Sequence, residues 1–200
     1  VGVWALITVL SVMNGFEREL RERILSVASH ATVSARSGWL TDWPALTESI
    51  VEHPEVLATA PFIYGQGLLT RANIVSGVLI RGVLPEREAS VSTILEHLVA
   101  GARTPLSKGD WKIVLGAQLA RSLGVGVGDR VTLIAPKGRI TPAGLLPRMR
   151  RFEVSAIFEM NMYEYDSGFI FMPLDAAQIY FQMNPSSLSE LQAYLSRDQH

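Results

Sequence analysis

The chain has 200 residues, enough for one large domain or two small ones, and 48% of them are hydrophobic against 18% charged. A formal net charge of −1 excludes the overall field that attracts nucleic acid, so we expect no nucleic-acid partner. The absence of cysteine excludes thiol catalysis, cysteine-ligated zinc and disulfide bonds. Function must therefore come from local features of the sequence.

The N-terminal segment joins an uncharged run to an amphipathic one. Residues 1–13 carry no charge and would cover about 20 Å as a helix, less than the ~30 Å hydrocarbon core of a membrane. Residues 16–27 place apolar side chains on one helical face and charged side chains on the other. The pattern fits either a buried core element or the end of a membrane helix that continues as a stalk. We predict the second arrangement for residues 1–28, followed by a folded domain over residues 29–200.

The first half of that domain predicts strands and short helices. Residues 31–35 alternate like a strand, and an acidic cap with a proline in the first turn predicts a helix over residues 42–52. Residues 56–71 and 74–83 are rich in β-branched residues and predict a hairpin. Residues 86–100 have a weakly helical pattern.

The best-defined block predicts a strand at 112–115, a helix at 116–123 and a strand at 130–135. Between the last two lies a glycine-rich turn, in which glycines supply positive φ and Asp129 caps backbone amides. A phosphate-binding loop opens a helix after a strand, whereas this turn opens a strand after a helix. The pattern therefore favours a structural turn.

The C-terminal part predicts strands at 151–158 and 167–172, a helix at 173–181 and a last strand at 189–195. Residues 161–166 are polar and aromatic and are predicted to form a loop. The last strand has no obvious partner, so we expect the protein to continue beyond the C-terminal residue. The whole pattern predicts an α+β fold with a mixed sheet.

A long segment between two predicted strands, residues 136–151, follows neither the helical nor the strand period. It contains three prolines, two glycines and five cations around an apolar centre. A stiff loop with apolar side chains ringed by cations suits docking into an apolar groove with an acidic rim. A disordered tip and a cationic patch near lipid headgroups remain the alternatives.

Residues that could carry catalysis or bind metal are sparse. The four histidines have no metal-binding spacing: His30, His53, His97 and His200. Glu159, Glu164 and Asp166 could form an acid/base pair or a Ca²⁺ site, but a solvated loop explains them better. We predict no catalytic residue, no metal and no cofactor, and therefore no enzyme.

Three segments together resemble one known family. Residues 5–25 (ALITVLSVMNGFERELRERIL) are similar to the end of the first membrane helix of lipoprotein-releasing ABC-transporter permeases of the LolC/LolE family. Residues 113–136 and 141–181 are similar to the same family, most specifically at the TPxGxxP loop and the MYEYDSG stretch. The MYEYDSG stretch is more similar to LolE, or to the single permease that replaces the pair in some bacteria.

The resemblance implies a mixed-sheet periplasmic domain of the MacB-like permease type, with a protruding hairpin hook and the remnant of a membrane helix at the N-terminus. It implies a non-catalytic inner-membrane permease subunit that extracts lipoproteins and hands them to a periplasmic chaperone. The implied partners are an ATPase subunit, which binds the ATP, and a second permease subunit, the same or paralogous. The alternatives are another MacB/FtsX-like ABC permease, active in efflux or signalling, and a soluble ligand-binding β-barrel domain.

The resemblance also assigns residues. In LolC-type members the hook docks into the chaperone, whereas the LolE hook of a paired system does not. The hook is here the loop of residues 136–151. Its implied contact residues are Arg139, Pro142, Gly144, Leu145, Leu146, Pro147, Arg148, Arg150 and Arg151. The residues implied to line the lipoprotein path near the membrane are Met13, Phe16 and Leu20.

Overall fold

The computed structural model describes residues 3–4, 6–15, 31–34, 40–41, 43–92, 94–135, 139–141, 144–146, 148–184 and 187–195. Over these residues the fold is α+β with a mixed sheet, as the sequence predicts. The predicted stalk at 16–27 lies outside the described residues.

The first helix, α1, covers residues 3–4 and 6–15. Its described side chains are exposed, with Trp4 79% and Val3 69% accessible. Across the described part of the chain, no helix combines the length and the apolar character that crossing a membrane requires. The assignment of α1 to the end of a membrane helix stays a prediction.

The remaining elements follow the predicted order closely. They are β1 (Ala31–Ser34), β2 (Leu40–Thr41), α2 (Trp43–Val51), β3 (Val56–Arg71), β4 (Ile74–Val83), α3 (Pro85–Glu88), a 3₁₀ turn (Ile94–Glu96), β5 (Leu98–Gly101), β6 (Lys112–Gly116), α4 (Ala117–Leu123), β7 (Arg130–Ile134), β8 (Arg139–Thr141), β9 (Gly144–Leu146), β10 (Met149–Phe158), α5 (Tyr163–Gly168), β11 (Phe169–Pro173), α6 (Leu174–Phe181), β12 (Ser187–Leu188) and β13 (Glu190–Leu195).

Six strands of the described sheet close into a ring. Neighbours around it are β3, β4, β11, β6, β10 and β7, and β7 pairs back onto β3. Strand β3 is 16 residues long, so its first part pairs with β13 while residues 68–70 pair with β7. Buried side chains from all six strands form one apolar cluster, including Leu69, Ile80, Ile170, Leu115, Phe152 and Leu133. Closure of the ring thus creates the main core.

A second apolar cluster covers the other face of the same strands. Phe62, Val114 and Phe171 pack there with Ile94 and other apolar side chains from the segment that follows β4. The predicted helix at 86–100 is wrong: α3 has only four residues, and β5 pairs with β10. The weak helical propensity of this segment is overridden by tertiary packing, because its apolar side chains cover the sheet.

Strand β13 has partners on both sides. It pairs antiparallel with β3 and with β1. The expectation that the last strand lacks a partner inside the chain is therefore wrong. Pairing between strands so distant in sequence leaves no local signal.

Glycine at position 116 is required by the close approach of α5. A Cβ atom at Gly116 would lie 2.3 Å from the Asp166 carbonyl oxygen, whereas one at Gly77 would have no heavy atom within 4 Å. We expect Gly116→Ala to lower the free energy of unfolding by about 1–3 kcal/mol, because backbone atoms must move apart. Gly77→Ala, the control, should change it by less than about 0.5 kcal/mol. Equilibrium urea unfolding measures both, and equal effects would contradict the packing described.

A buried ion pair joins β4 to α3. Arg81 Nη2 lies 3.4 Å from Glu88 Oε1, and the Glu88 side chain is fully buried. The Arg81 guanidinium also lies over the Phe62 ring, 4.7 Å from its centroid. Burial raises the pKa of the Glu88 carboxyl, and the charge of Arg81 opposes that rise without cancelling it.

This raised pKa makes stability depend on pH. Because the folded protein holds the Glu88 proton more tightly than the unfolded chain, the stabilisation is present below the ordinary pKa of 4.5 and is lost as pH rises through the raised value. We expect the unfolding free energy of the wild type, relative to Glu88→Gln, to fall as the pH rises above the ordinary pKa of 4.5. Urea unfolding at several pH values measures the difference, and a constant difference would refute the prediction.

Candidate docking site

The two arms of the hook start from neighbouring strands. Strands β7 and β10 are antiparallel, and the amide of Ala135 donates to the carbonyl of Arg148 at 2.8 Å as the last bond between them. The two ends of the segment 136–147 therefore meet at one point of the sheet. The chain entering this point and the chain leaving it are held side by side by the ring.

The hook itself contains a short hairpin rather than the irregular loop that its composition indicates. Strands β8 and β9 pair antiparallel, with Arg139 opposite Leu146 and Thr141 opposite Gly144. We call β8 and β9 the hook hairpin. Of the predicted contact residues, Arg139, Gly144, Leu145 and Leu146 lie on it, whereas Pro142 and Pro147 lie outside the described residues.

The three arginines at the end of the hook are placed at its root, not on the hairpin. Arg148 is half-buried and donates from Nη1 to the carbonyl of Tyr180 at 3.0 Å. Arg150 lies on β10 with its guanidinium carbon 3.6 Å from the centroid of the Trp111 ring. Arg151 also lies on β10 and is exposed. The sequence-predicted cluster is thus divided between the hairpin and the sheet.

A groove of about 520 Å³ lies on the ring beside this root. Its lining is contributed by Thr70, Arg71, Ala72, Arg130, Thr132, Ile134, Met149 and Arg151. The register aligns Leu68, Ile134 and Met149 in one row across three strands. Leu68 is 43% and Met149 59% exposed, so apolar surface is left open here. An apolar row with arginines beside it therefore reaches the base of the hook.

Strand β3 was not predicted to contribute to this site. Leu68 and Thr70 lie at this site because β3 pairs with β7, and no local sequence pattern predicts that pairing. Trp111 and Tyr180, the residues that Arg150 and Arg148 contact, were missed for the same reason.

The glycine-rich turn is structural, as predicted. Gly124 and Gly128 have positive φ, at 63° and 89°. The Asp129 carboxylate accepts from the Gly126 amide at 2.8 Å, and the Gly128 amide donates to the carbonyl of Val154 at 2.8 Å. These amides are thus engaged within the fold and do not point at a ligand.

The group of carboxylates near α5 is also structural. Asp166 is buried and its Oδ1 accepts from the Met160 amide at 2.8 Å, while Glu159 pairs with Arg121 at 3.2 Å. The predicted solvated loop is wrong, because residues 163–168 form helix α5 and turn Asp166 inward. Among the described residues, no group of three histidine or acidic side chains could hold a metal ion.

The predicted path residues cannot be brought together. Met13 lies on α1 and is 52% exposed, whereas Phe16 and Leu20 fall outside the described residues.

The described residues thus combine a closed mixed ring, helices packed on it and a hairpin between two of its strands. The structure is similar to the periplasmic region of MacB from Actinobacillus actinomycetemcomitans (TM-score 0.53, 12% identity, 84% of this chain and 68% of that chain). It is also similar to the extracellular domain of the noncanonic ABC-type transporter YknZ from Gram-positive bacteria (TM-score 0.57, 10% identity, 84% of this chain and 86% of that chain). At these identities the likeness concerns the fold alone.

The comparison of sequences identifies the family to which the chain belongs. The model of the MacB-like periplasmic core domain matches residues 1–197, and the chain belongs to that family. It is 38% identical to the lipoprotein-releasing system transmembrane protein LolC of Neisseria meningitidis over 92% of this chain and 44% of that protein. It is 28% identical to LolE of Haemophilus influenzae over 98% of this chain and 47% of that protein. The predicted family is confirmed, and the chain spans less than half the length of these relatives.

The role of Asp166 can be separated from that of its neighbour. We expect Asp166→Ala to lower the free energy of unfolding by about 1–3 kcal/mol, because the buried Met160 amide loses its acceptor. Asp166→Asn retains an oxygen at this place and should lose less. Glu164→Ala, at an exposed position on the same helix, is the matched control and should change stability by less than about 0.5 kcal/mol. Thermal or urea unfolding measures all three, and an equal loss for Glu164→Ala would contradict the assignment.

Proposed function

We propose that this chain is the periplasmic part of a non-catalytic permease subunit in an ABC transporter that extracts lipoproteins from the bacterial inner membrane and passes them to a periplasmic chaperone. Two relatives at 38% identity are transmembrane proteins of lipoprotein-releasing systems, which supports this function. The observation that carries the proposal is the hook hairpin, which starts beside an exposed apolar row with arginines around it.

The hook suits a partner with an apolar cavity and an acidic rim. Leu145 and Leu146 on β9 supply the apolar part, and Arg139 opposes Leu146 across the hairpin. At the root, Arg151 and Arg130 border the groove. A chaperone that binds acyl chains offers an apolar cavity, and complementary charge at its rim would orient the approach and raise the association rate.

The remaining parts of the machine belong to other chains and segments. ATP would be bound by a separate ATPase subunit, and a second permease subunit, the same or paralogous, would complete the membrane part. Met13, Phe16 and Leu20 would line the lipoprotein path where the chain leaves the membrane. In this arrangement the chain needs no cofactor, because its work is to bind, guide and transmit motion.

The hook is tested by a pull-down of a periplasmic lipoprotein chaperone. We expect the double substitution Leu146→Asp with Pro147→Ala to weaken binding by about tenfold or more, since a charge enters the apolar contact and the loop loses stiffness. Leu57→Asp is the matched control, because Leu57 is a 63% exposed leucine on the other end of β3. It adds the same charge away from the hook and should bind like the wild type.

Two outcomes would overturn the docking role. Equal binding by the wild type and the hook variant would remove the hook from the interface. A similar loss for Leu57→Asp would mean that net charge, rather than the hook, controls binding.

A further inference from the structure

We propose that Trp111 and the carboxyl end of α6 at Tyr180 form a clamp that fixes the direction in which the hook hairpin leaves the ring. Both act as positioning residues: Tyr180 holds Arg148 and Trp111 holds Arg150. The inference rests on the proposed function only in taking the hook as the docking element. It names residues outside the hook that prepare it for binding.

The first half of the clamp is a hydrogen bond from Arg148 to a backbone carbonyl at the carboxyl end of α6. The last carbonyls of a helix have no partner within it. In α6 the amides that follow bond to Gln178 and Ile179, and the carbonyl of Tyr180 instead accepts from Arg148 Nη1 at 3.0 Å. A cation at this end is also favoured by the helix dipole. Arg148 directly precedes β10, so this contact acts at the root of the hook.

The second half of the clamp is the stacking of Arg150 on Trp111. The guanidinium carbon lies 3.6 Å from the ring centroid, close enough for a cation–π contact. Trp111 is itself fixed to β10, since its carbonyl accepts from the Glu153 amide at 3.0 Å. Its ring packs edge-on against Phe152, with centroids 5.5 Å apart.

The two halves belong to one packed unit. Phe152 lies between Trp111 and Tyr180, and its ring centroid is 6.2 Å from that of Tyr180. Helix α6 is seated firmly, because a Cβ at Gly65 would fall 2.2 Å from Phe181 Cζ. The carbonyl that receives Arg148 is therefore at a fixed position on the ring.

The side-chain contacts of the clamp lie on the Arg148 arm of the hook. The other root residue, Ala135, has a small buried side chain and holds the hook through its backbone bond to Arg148. A hairpin whose two arms join the sheet at neighbouring positions can pivot there. Side-chain contacts on the Arg148 arm oppose that pivot, and a binding element held in its bound direction loses less entropy on association.

The direction of the hook can be measured without any partner. The chain has no cysteine, so Leu145→Cys on the hook hairpin and Leu57→Cys on β3 give two unique sites for nitroxide labels. Pulsed electron paramagnetic resonance then reports the distribution of distances between them. We expect Arg148→Ala and Arg150→Ala together to broaden this distribution by about twofold.

Matched variants separate the clamp from general loosening. Arg130→Ala removes an exposed arginine from the adjacent strand β7 and should leave the width unchanged. Trp111→Ala should broaden it, and Trp111→Phe, which keeps a ring under Arg150, should broaden it less. Arg150 is exposed, so Arg150→Ala alone folds without a core defect and still tests the stacking half. Unchanged widths in the Arg148, Arg150 and Trp111 variants would overturn the clamp, and so would equal broadening by Arg130→Ala.

A binding measurement distinguishes failure of the clamp from failure of the proposed function. Trp111 is not among the predicted contact residues, so Trp111→Ala should slow association with the chaperone by about tenfold while changing the dissociation rate little. Broadened distances with no chaperone binding by the wild type would retain the clamp and refute the docking role. Chaperone binding by the wild type, with unaltered distance widths and association rates in the variants, would retain the docking role and refute the clamp.

Discussion

The pairing of β7 with both β3 and β10 is the constraint on which the rest of the structure depends. Without it the strands would form an open sheet, and the apolar side chains now inside the ring would face water. The same pairing brings Leu68 of β3 beside Ile134 and Met149 at the root of the hook. One set of backbone bonds therefore closes the core and also assembles the candidate docking surface.

Local sequence predicted most elements but not their partners. The strand, helix and turn at 112–135 were predicted almost to the residue, because Gly124 and Gly128 need positive φ and Asp129 needs amides to cap. Where long-range packing decides, the pattern was misleading. The segment that contains Ile94 does not form the predicted long helix, because its apolar side chains cover the sheet, and β13 pairs with strands that lie far earlier in the chain.

For the candidate site, too, the local sequence predicts the segment but not its contacts in the folded chain. Composition singled out residues 136–151, since three prolines and two glycines in one segment disfavour a regular strand, but it did not predict the hairpin of β8 and β9. It could not divide the arginines by role, because Arg148 and Arg150 meet Tyr180 and Trp111 only in the folded chain. The structure thus places Arg139 on the hook hairpin, and Arg148 and Arg150 at the root of the hook.

The bond between Ala135 and Arg148, where the hook joins the ring, also bears on how such proteins diversify. A segment that enters and leaves a fold at one point can lengthen, shorten or change its sequence while the core keeps its register. A ring of this kind can therefore serve as a common scaffold. Exchange of one short insertion would then be enough to change which partner it recognises.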